Sequence, residues 1–121
     1  MTTSEVASRF NKLAQQGKWL EIQQELYADD IITIEPTNSK NPENTRGKKI
    51  AIQKGETFAA MIHETHCGYV KEPLVAGNLF AVALGMDITW KNKAREEFHE
   101  IAVYEVKDGK IVHEQFFMQW V

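Results

Sequence analysis

The chain has 121 residues, a formal net charge of −3 and a single cysteine, and 43% of its residues are hydrophobic. This length is typical of one hydrophobic core, so we expect a single domain over residues 1–121. A mildly acidic chain without a clustered basic surface has no electrostatic reason to bind nucleic acid. No apolar run approaches the roughly 20 residues of a membrane-spanning helix, so we expect no membrane partner either. The N-terminus lacks a secretion-signal layout and Cys67 has no disulfide partner, which together favour the cytoplasm.

Two helices are predicted at the start of the chain. Thr2 and Glu5 have the spacing of a capping box, in which each side chain accepts a hydrogen bond from a free backbone N–H of the other residue. Apolar residues then recur at helical spacing up to Gly17, which provides a stop: Val6, Phe10, Leu13 and Ala14. A second apolar face, formed by Trp19, Ile22 and Leu26, follows at once. Residues 2–27 therefore predict a helical hairpin.

The next segment predicts a strand, a loop and a third helix. Residues 31–35 are mostly β-branched and end at Pro36, which is typical of a short strand. Residues 36–47 are rich in Pro, Asn and Ser and predict a long loop. A helix is predicted from about residue 48 to residue 63. Gly55 inside it costs about 1 kcal/mol relative to alanine, which indicates close backbone packing or a weak point in the helix.

Residues 66–120 are predicted to form a four-stranded meander. Its strands are expected over residues 66–76, 79–90, 95–107 and 110–120. The pairs 77–78 and 108–109 tolerate positive φ and predict two-residue hairpin turns, and residues 92–93 mark the remaining turn. We therefore expect an α+β fold in which three N-terminal helices pack into a curved, mixed or antiparallel sheet.

Alternation along residues 79–90 indicates which face of the sheet is inside. The bulky residues share one face: Phe80, Val82, Leu84, Met86, Ile88 and Trp90. Two-residue turns would place further residues beside this face: Ile101, Val103, Val112, Phe116 and Met118, with His99, Glu105 and Glu114 as its polar members. The outer face, suited to a homodimer contact, would then carry Glu100, Ala102, Tyr104, His113, Gln115 and Phe117. One β-bulge or a three-residue turn would instead exchange Glu100 and Tyr104 for Glu114 and Phe116.

The order of elements, with the segments LYADDIITIEP, GKKIAIQK and EIAVYEVKDGKIVHEQFF, resembles the SnoaL-like branch of the nuclear-transport-factor-2-like superfamily. The resemblance covers nearly the whole chain and is most specific at residues 27–30 and 108–111, and the chain resembles bacterial members without a clear catalytic signature. It implies a cystatin-like cone, in which helices close one mouth of a curved sheet around a pocket that often binds a small hydrophobic molecule. Members include polyketide cyclases, ketosteroid isomerases, limonene-epoxide hydrolases and dehydratases, so the fold does not imply one activity.

The resemblance also implies positions for site residues. Glu35, before Pro36, takes the place of the catalytic aspartate of ketosteroid isomerases and keeps a carboxylate that can act as a base. The position of their oxyanion tyrosine is Phe10, and their second oxyanion donor falls near Ala102, with Glu100 the nearest carboxylate. Steroid-type enolisation therefore lacks its donors. The last strand has no arginine, so the Asp-Arg-Asp arrangement of the epoxide hydrolases is missing as well.

Four residues are candidates for acid–base catalysis: Glu35, Glu114, His66 and His99. Glu114 is predicted mid-strand, where burial would raise its pKa towards neutrality, although an outward side chain would be solvated. Glu35 lies either in the pocket or at a solvated edge. His99 is either a general base or a core histidine, and His66 lies at the pocket rim. His63 and His66 have a metal-ligand spacing, but the helix ends between them, so we expect no metal site.

Eight apolar residues are candidates for the lining of a ligand pocket, with ordinary core packing as the alternative: Phe10, Phe58, Met61, Val82, Leu84, Met86, Phe116 and Met118. The sequence contains no phosphate-binding glycine loop, nucleophile elbow or zinc signature, so we expect no cofactor. Three functions remain open. The chain is a cofactor-free acid–base enzyme of isomerase, cyclase, hydratase or lyase type acting on a small hydrophobic molecule, a non-catalytic ligand-binding domain, or a dimeric interaction module with a vestigial pocket.

Overall fold

The computed structural model describes residues 1–121 and has the predicted α+β fold, with three helices and one mixed sheet of seven strands. The elements in chain order are α1 (Thr3–Gln15), α2 (Trp19–Leu26), β1 (Tyr27–Ile34), β2 (Thr45–Arg46), α3 (Lys48–Met61), β3 (Ile62–Val70), β4 (Leu74–Ala76), β5 (Leu79–Trp90), β6 (Arg95–Lys107) and β7 (Lys110–Trp120). The strand order is β2-β1-β7-β6-β5-β3, with β4 also paired to β5. Only β1 and β7 pair in parallel. None of the three helices has both the length and the apolar character needed to cross a membrane.

The capping box predicted at the start of α1 is present. The Glu5 backbone N–H donates to Thr2 Oγ1 at 3.2 Å, and the Thr2 backbone N–H donates to Glu5 Oε1 at 2.9 Å. The apolar stripe of α1 is fully buried, and the chain turns at Gly17 with a φ of 71° before α2 begins. Since only glycine adopts this left-handed conformation without strain, Gly17 allows the helical hairpin to close tightly.

The main hydrophobic core lies where α1 and α2 pack against the sheet. At its centre, the Phe10 ring lies 5.4 Å from that of Phe80 and 4.9 Å from that of Tyr104, measured between centroids. A second, smaller cluster forms towards the other end of the sheet around Ile88, Trp90 and Phe98. Burial of large aromatic and aliphatic side chains in both clusters is the principal stabilising contribution to such a fold.

The turn between β5 and β6 has three residues, 91–93, and not the two that were predicted. The Trp90 backbone N–H donates to the Ala94 carbonyl at 2.8 Å, and Lys93 has a φ of 76°. A three-residue hairpin loop closes with a residue in the left-handed region, and here that residue is a lysine. The register of β6 therefore moves by one residue, which places Glu100 opposite Leu84 and Phe98 opposite Met86.

A β-bulge at the start of β7 moves the register once more. Residues 108–109 form the predicted two-residue turn, but Val106 pairs with Ile111 while Glu105 pairs with His113, which leaves Val112 as the extra residue. Because a bulge reverses the faces of the residues beyond it, the two shifts cancel for β7. Glu114, Phe116 and Met118 face inwards, as predicted. The inward face of β6 is the reverse of the predicted one: it carries Phe98, Glu100, Ala102, Tyr104 and Val106, while His99, Ile101, Val103 and Glu105 face outwards.

Several strand boundaries differ from the predictions. β1 begins at Tyr27 and not at residue 31, and the short β2 pairs with it from within the predicted loop. The strand predicted over residues 66–76 is two strands, β3 and β4, because Pro73 lies in the break and has no N–H to donate to a ladder. Gly55 marks close packing of α3 on α2: a Cβ atom there would lie 3.3 Å from the amide of Gln23.

Candidate functional site

A cavity of about 610 Å³ lies between the helices and the inner face of the sheet. All three helices, the strands β1, β3, β5, β6 and β7, and the loop after β1 contribute to its wall, and 17 of its 32 lining residues are hydrophobic. The polar part of the wall comes from β1 and the loop after it, from the three helices, and from β6 and β7. It contains three carboxyl groups, those of Glu35, Glu100 and Glu114, which therefore share one enclosed space.

Glu114 is the most deeply buried carboxyl group, with 3% of its surface exposed. It lies on β7 between Thr33 of β1 and Tyr104 of β6. Its Oε1 accepts a hydrogen bond of 2.8 Å from the Tyr27 hydroxyl, and its Oε2 accepts one of 3.3 Å from Thr33 Oγ1. Burial raises the pKa of Glu114 to about 7, because the hydrogen bond from Tyr27 offsets only part of the lost hydration.

Glu100 faces the cavity from β6. No other group of the chain forms a hydrogen bond with its carboxyl group, in contrast to Glu114. Burial raises the pKa of Glu100 to about 8, and the negative charges of Glu35 and Glu114 contribute to the shift. The protonated form therefore predominates at neutral pH, and its O–H is free to donate to a bound molecule.

Glu35 follows β1 directly and lies in the cavity wall. Its Oε1 is 3.2 Å from Lys54 Nζ of α3, and the two side chains are only 15% and 14% exposed. Lys54 Nζ also donates to the Glu43 carbonyl at 2.7 Å, and the Glu35 backbone N–H donates to Asn44 Oδ1 at 2.8 Å. The ion pair fixes the Glu35 carboxylate, since a mostly buried lysine with two acceptors has little freedom to move.

Two buried tyrosines complete the polar wall. Burial raises the pKa of both the Tyr27 and the Tyr104 phenol well above the ordinary value, and the negative charge of Glu114 adds to each shift. Both hydroxyl groups therefore stay protonated and can only donate or accept hydrogen bonds. The Tyr27 hydroxyl donates its proton to Glu114 in a hydrogen bond. The Tyr104 ring is stacked on that of Phe80, with 4.9 Å between the ring centroids, and its hydroxyl has no hydrogen-bond partner within the chain.

The structure brings together only part of the predicted site. Glu35 and Glu114 line the cavity, as do six of the eight predicted apolar residues: Phe58, Met61, Leu84, Met86, Phe116 and Met118. Phe10 and Val82 are buried in the core and do not reach the cavity, so their prediction as lining residues is wrong.

The predicted positions of His66 and His99 are also wrong, since both lie on the outer face of the sheet. His66 Nε2 is 2.7 Å from Thr89 Oγ1, and His99 Nδ1 is 2.6 Å from the Tyr69 hydroxyl. Tyr69 and His99 cover Gly85, where a Cβ atom would lie 2.6 Å from the tyrosine ring. For His99 the reason is the three-residue turn before β6, which turns His99 outwards and Glu100 inwards. His66 lies on β3 and shares the outer face with Thr89 of β5.

Tyr27, Thr33, Lys54 and Tyr104 belong to the site although the sequence analysis did not select them. Lys54 could have been predicted from helical spacing. Ala51, Gly55 and Phe58 are spaced by three or four residues, so they share one face of α3, and Lys54 lies on the same face. Thr33 alternates with apolar neighbours along β1. The alternation shows that Thr33 and these neighbours face opposite sides of the sheet, but it does not show which side is the inner one. The inward orientation of Tyr104 depends on the register of β6, and nothing else in the sequence indicates it.

Comparisons with known proteins agree with this architecture. The sequence model of the SnoaL-like domain matches residues 1–118, so the chain belongs to the SnoaL-like family and the predicted resemblance is confirmed. A candidate SnoaL-like polyketide cyclase from Mesorhizobium loti is 33% identical, with a TM-score of 0.85 over 97% of this chain and 99% of that chain. A comparison with curated proteins gave no match.

More distant solved structures show the same fold. A nuclear-transport-factor-2-like protein from Burkholderia thailandensis is 14% identical, with a TM-score of 0.84 over 98% of this chain and 92% of that chain. IdmH, a candidate polyketide cyclase from Streptomyces antibioticus, is 18% identical, with a TM-score of 0.71 over 98% of this chain and 93% of that chain. At these identities the likeness extends to the fold alone.

Proposed function

We propose that this SnoaL-like chain is a cofactor-free acid–base enzyme that acts on a small hydrophobic molecule in the cavity. The observation that carries the proposal is the pair of inward carboxyl groups, Glu114 with a pKa of about 7 and Glu100 with a pKa of about 8. General acid–base catalysis is most efficient when the pKa of the catalytic group lies near the operating pH. Glu35 adds a third carboxylate, held by Lys54.

The two groups suit different roles. Glu100, which is mostly protonated at neutral pH and has no partner within the chain, is the proton donor to a substrate oxygen. Glu114 is more readily ionised, and Tyr27 and Thr33 hold both of its oxygens in place, so it is the base that removes a proton from a carbon next to a carbonyl group. Return of that proton to another carbon gives an isomerisation. Attack of the enol carbon on a second carbonyl carbon gives a cyclisation.

The size and lining of the cavity support a small hydrophobic substrate. Its volume of about 610 Å³ lies within the range of roughly 300–1,000 Å³ that is usual for small-molecule sites. Away from the carboxyl groups the wall includes several aromatic and sulfur-containing side chains, those of Phe58, Met61, Met86, Phe98 and Met118. Such a wall binds a compact apolar body, while the acidic end receives its carbonyl or hydroxyl group. A cavity of this size does not support the reading of a vestigial pocket.

Proton exchange at carbon tests the proposal without a known substrate. Cyclic enones and β-keto esters of roughly ten to twenty heavy atoms are incubated with the protein in D₂O, and loss of the α-proton is followed by NMR. We expect catalysed exchange for at least one compound, and a fall of about 100-fold or more in Glu114→Gln and Glu100→Gln. Glu97→Gln is the matched control, because Glu97 lies on the same strand as Glu100 but on its outer face. Exchange no faster than in buffer, together with ordinary titration of Glu100 and Glu114 by NMR, would contradict the proposal.

A non-catalytic ligand-binding domain is the second candidate, and the hydrophobic majority of the cavity wall favours it. In that case the two carboxyl groups would serve as hydrogen-bonding partners of a bound molecule and would not transfer protons to carbon. Saturable binding of a panel compound without any exchange of its α-proton would support this second function over the first.

We also propose that the chain forms a homodimer through the outer face of the sheet. Ile101 and Phe117 lie directly opposite each other there and are 51% and 54% exposed. They adjoin Ala83 on β5, which pairs with Ile101. Large exposed apolar side chains beside a small residue on an open sheet face are typical of a protein–protein contact. The outer face differs from the predicted one because the register of β6 is shifted. It contains Ile101, Val103 and Glu105, and not Glu100, Ala102 and Tyr104.

A further inference from the structure

Residues 36–44, which we call the lid, connect β1 to the short β2 and form one edge of the cavity. Ser39, Lys40 and Asn41 from its tip are part of the cavity wall. We propose that the lid opens and closes to admit molecules to the cavity, and that Lys40 is the latch that holds it closed. The proposal concerns access to the cavity and does not depend on the proposed chemistry.

The latch consists of two aromatic rings and one carboxylate around a single ammonium group. Lys40 Nζ lies 4.8 Å from the centroid of the Trp120 ring and 5.5 Å from that of the Trp90 ring. It also lies 2.8 Å from Glu96 Oε1, the same oxygen that accepts a hydrogen bond of 2.8 Å from Trp90 Nε1. Trp90 therefore both contacts the lysine and orients its carboxylate partner, so these groups act together.

Asn38 supplies a second attachment of the lid tip to the end of β7. Trp120 Nε1 donates to the Asn38 carbonyl at 2.8 Å, and Asn38 Nδ2 donates to the Met118 carbonyl at 2.9 Å. Trp120 and Met118 both line the cavity, so the lid closes onto the part of the wall that would contact a bound molecule.

The base of the lid is attached differently from its tip. Lys54 donates to the Glu43 carbonyl while it pairs with Glu35, and Asn44 accepts from the Glu35 backbone N–H. These contacts connect the base of the lid to a carboxylate in the cavity wall and lie close to both ends of the loop. Movement is therefore expected at the tip, with the base as the fixed part.

The composition of the lid explains why it can open. Residues 36–44, PTNSKNPEN, include no large apolar side chain, so lid closure buries little hydrophobic surface. Exposed ion pairs and cation–π contacts contribute roughly 0.2–1 kcal/mol each. A segment held by a few such contacts opens often at room temperature, and removal of one of them shifts its equilibrium measurably.

Binding kinetics of a neutral fluorescent probe, N-phenyl-1-naphthylamine, test the latch by stopped-flow fluorescence. In Lys40→Met we expect the association and dissociation rates both to rise by about tenfold, with the equilibrium constant changed by less than about threefold. Lys12→Met, which removes an exposed lysine from α1, should leave both rates unchanged. The double variant Asn38→Ala/Lys40→Met should be faster than Lys40→Met alone.

Amide hydrogen exchange provides an independent readout that needs no ligand. Exchange in residues 36–44 should accelerate in Lys40→Met, while β6 and β7 keep the protection of the parent chain. Unchanged probe rates and unchanged lid exchange in Lys40→Met would overturn the proposal. Faster exchange throughout the chain would overturn it as well, since Lys40 would then be a general structural brace and not a latch.

Discussion

The Tyr27 hydroxyl donates a hydrogen bond of 2.8 Å to Glu114 although the two residues are 87 positions apart in the chain. Parallel pairing of β1 with β7 creates this contact, since it aligns Tyr27 with Ile111 and Thr33 with Glu114. The first strand after the helical hairpin thus supplies both hydrogen-bond donors to the buried acid on the last strand. A phenol that cannot ionise readily and a carboxylate with little access to water form a stable donor–acceptor pair.

Tyr27→Phe should destabilise the protein more at pH 9 than at pH 5. The hydrogen bond favours the ionised form of Glu114, so its removal raises the pKa of that group further above about 7. We expect a loss of about 1.5–3 kcal/mol in the free energy of unfolding at pH 9, where Glu114 is charged, and about 1 kcal/mol at pH 5. Urea denaturation at both pH values measures the difference. Tyr104→Phe is the control because its hydroxyl has no partner, and equal losses in the two variants would refute this role of Tyr27.

Glu100→Gln should stabilise the protein at alkaline pH. The folded-state pKa of about 8 lies above the ordinary value of 4.5, so the folded chain retains a proton that the unfolded chain releases. This group therefore makes stability fall as the pH rises from about 4.5 to about 8, and the substitution removes that loss. We expect a gain of about 2–4 kcal/mol at pH 9, less than the full linkage because solvent partly reaches the group, and almost none at pH 4. Thermal unfolding of both chains between pH 4 and pH 9 measures the gain, with the exposed Glu72→Gln as control. An equal gain at both pH values would contradict the prediction.

Lys93→Gly should raise stability by about 1 kcal/mol. Lys93 closes the turn after β5 with a φ of 76°, a conformation that is strained for a residue with a Cβ atom and unstrained for glycine. Lys91→Gly in the same turn has no such strain to relieve and should lower stability through chain entropy. Chemical denaturation of both variants gives the comparison. A fall in stability for Lys93→Gly would show that the turn differs from the one described.

Replacement of the outer-face residues should leave the fold intact and abolish the proposed dimer. Ile101→Lys and Phe117→Lys together place two charges in an apolar contact, which is unfavourable by several kcal/mol in an interface core. Light scattering after size exclusion should give twice the 13.9 kDa chain mass for the parent protein and a single chain mass for the variant. Ile50→Lys, on the exposed side of α3, serves as control. A monomeric parent chain at micromolar concentration would exclude this dimer.

The helices, the two hairpin turns at residues 77–78 and 108–109, and the inner face of β5 followed from local signals. Apolar periodicity, the capping box of Thr2 and Glu5, and the Asp108-Gly109 pair depend on neighbours within a few residues, which is why they are readable in the sequence. The length of the turn after β5 is also local, but Lys93 at positive φ carries no compositional signal, and a two-residue turn was predicted in its place.

The candidate site was readable only in part for the same reason. Glu35 was a candidate through the family resemblance at the position before Pro36, and Glu114 through a predicted phase of β7 in which two register errors cancel. Both residues line the cavity. Glu100 and His99 exchange places with a shift of one residue, and a period of two makes either phase equally consistent with the alternation along β6. Lys54, Thr33 and Tyr104 enter the site through elements that meet only in the folded chain.

The sequence by itself determined the three helices, the apolar faces of α1 and of β5, and Glu114 as a candidate for a buried acid on the last strand. Tertiary structure alone decided that this acid, Glu114, receives hydrogen bonds from Tyr27 and Thr33, and that Glu100 shares its cavity. The physical reason is that a three-residue turn and a single bulge each move a strand by one residue. Two such shifts cancel for β7 and leave β6 reversed, which turns Glu100 inwards to face the same cavity as Glu114.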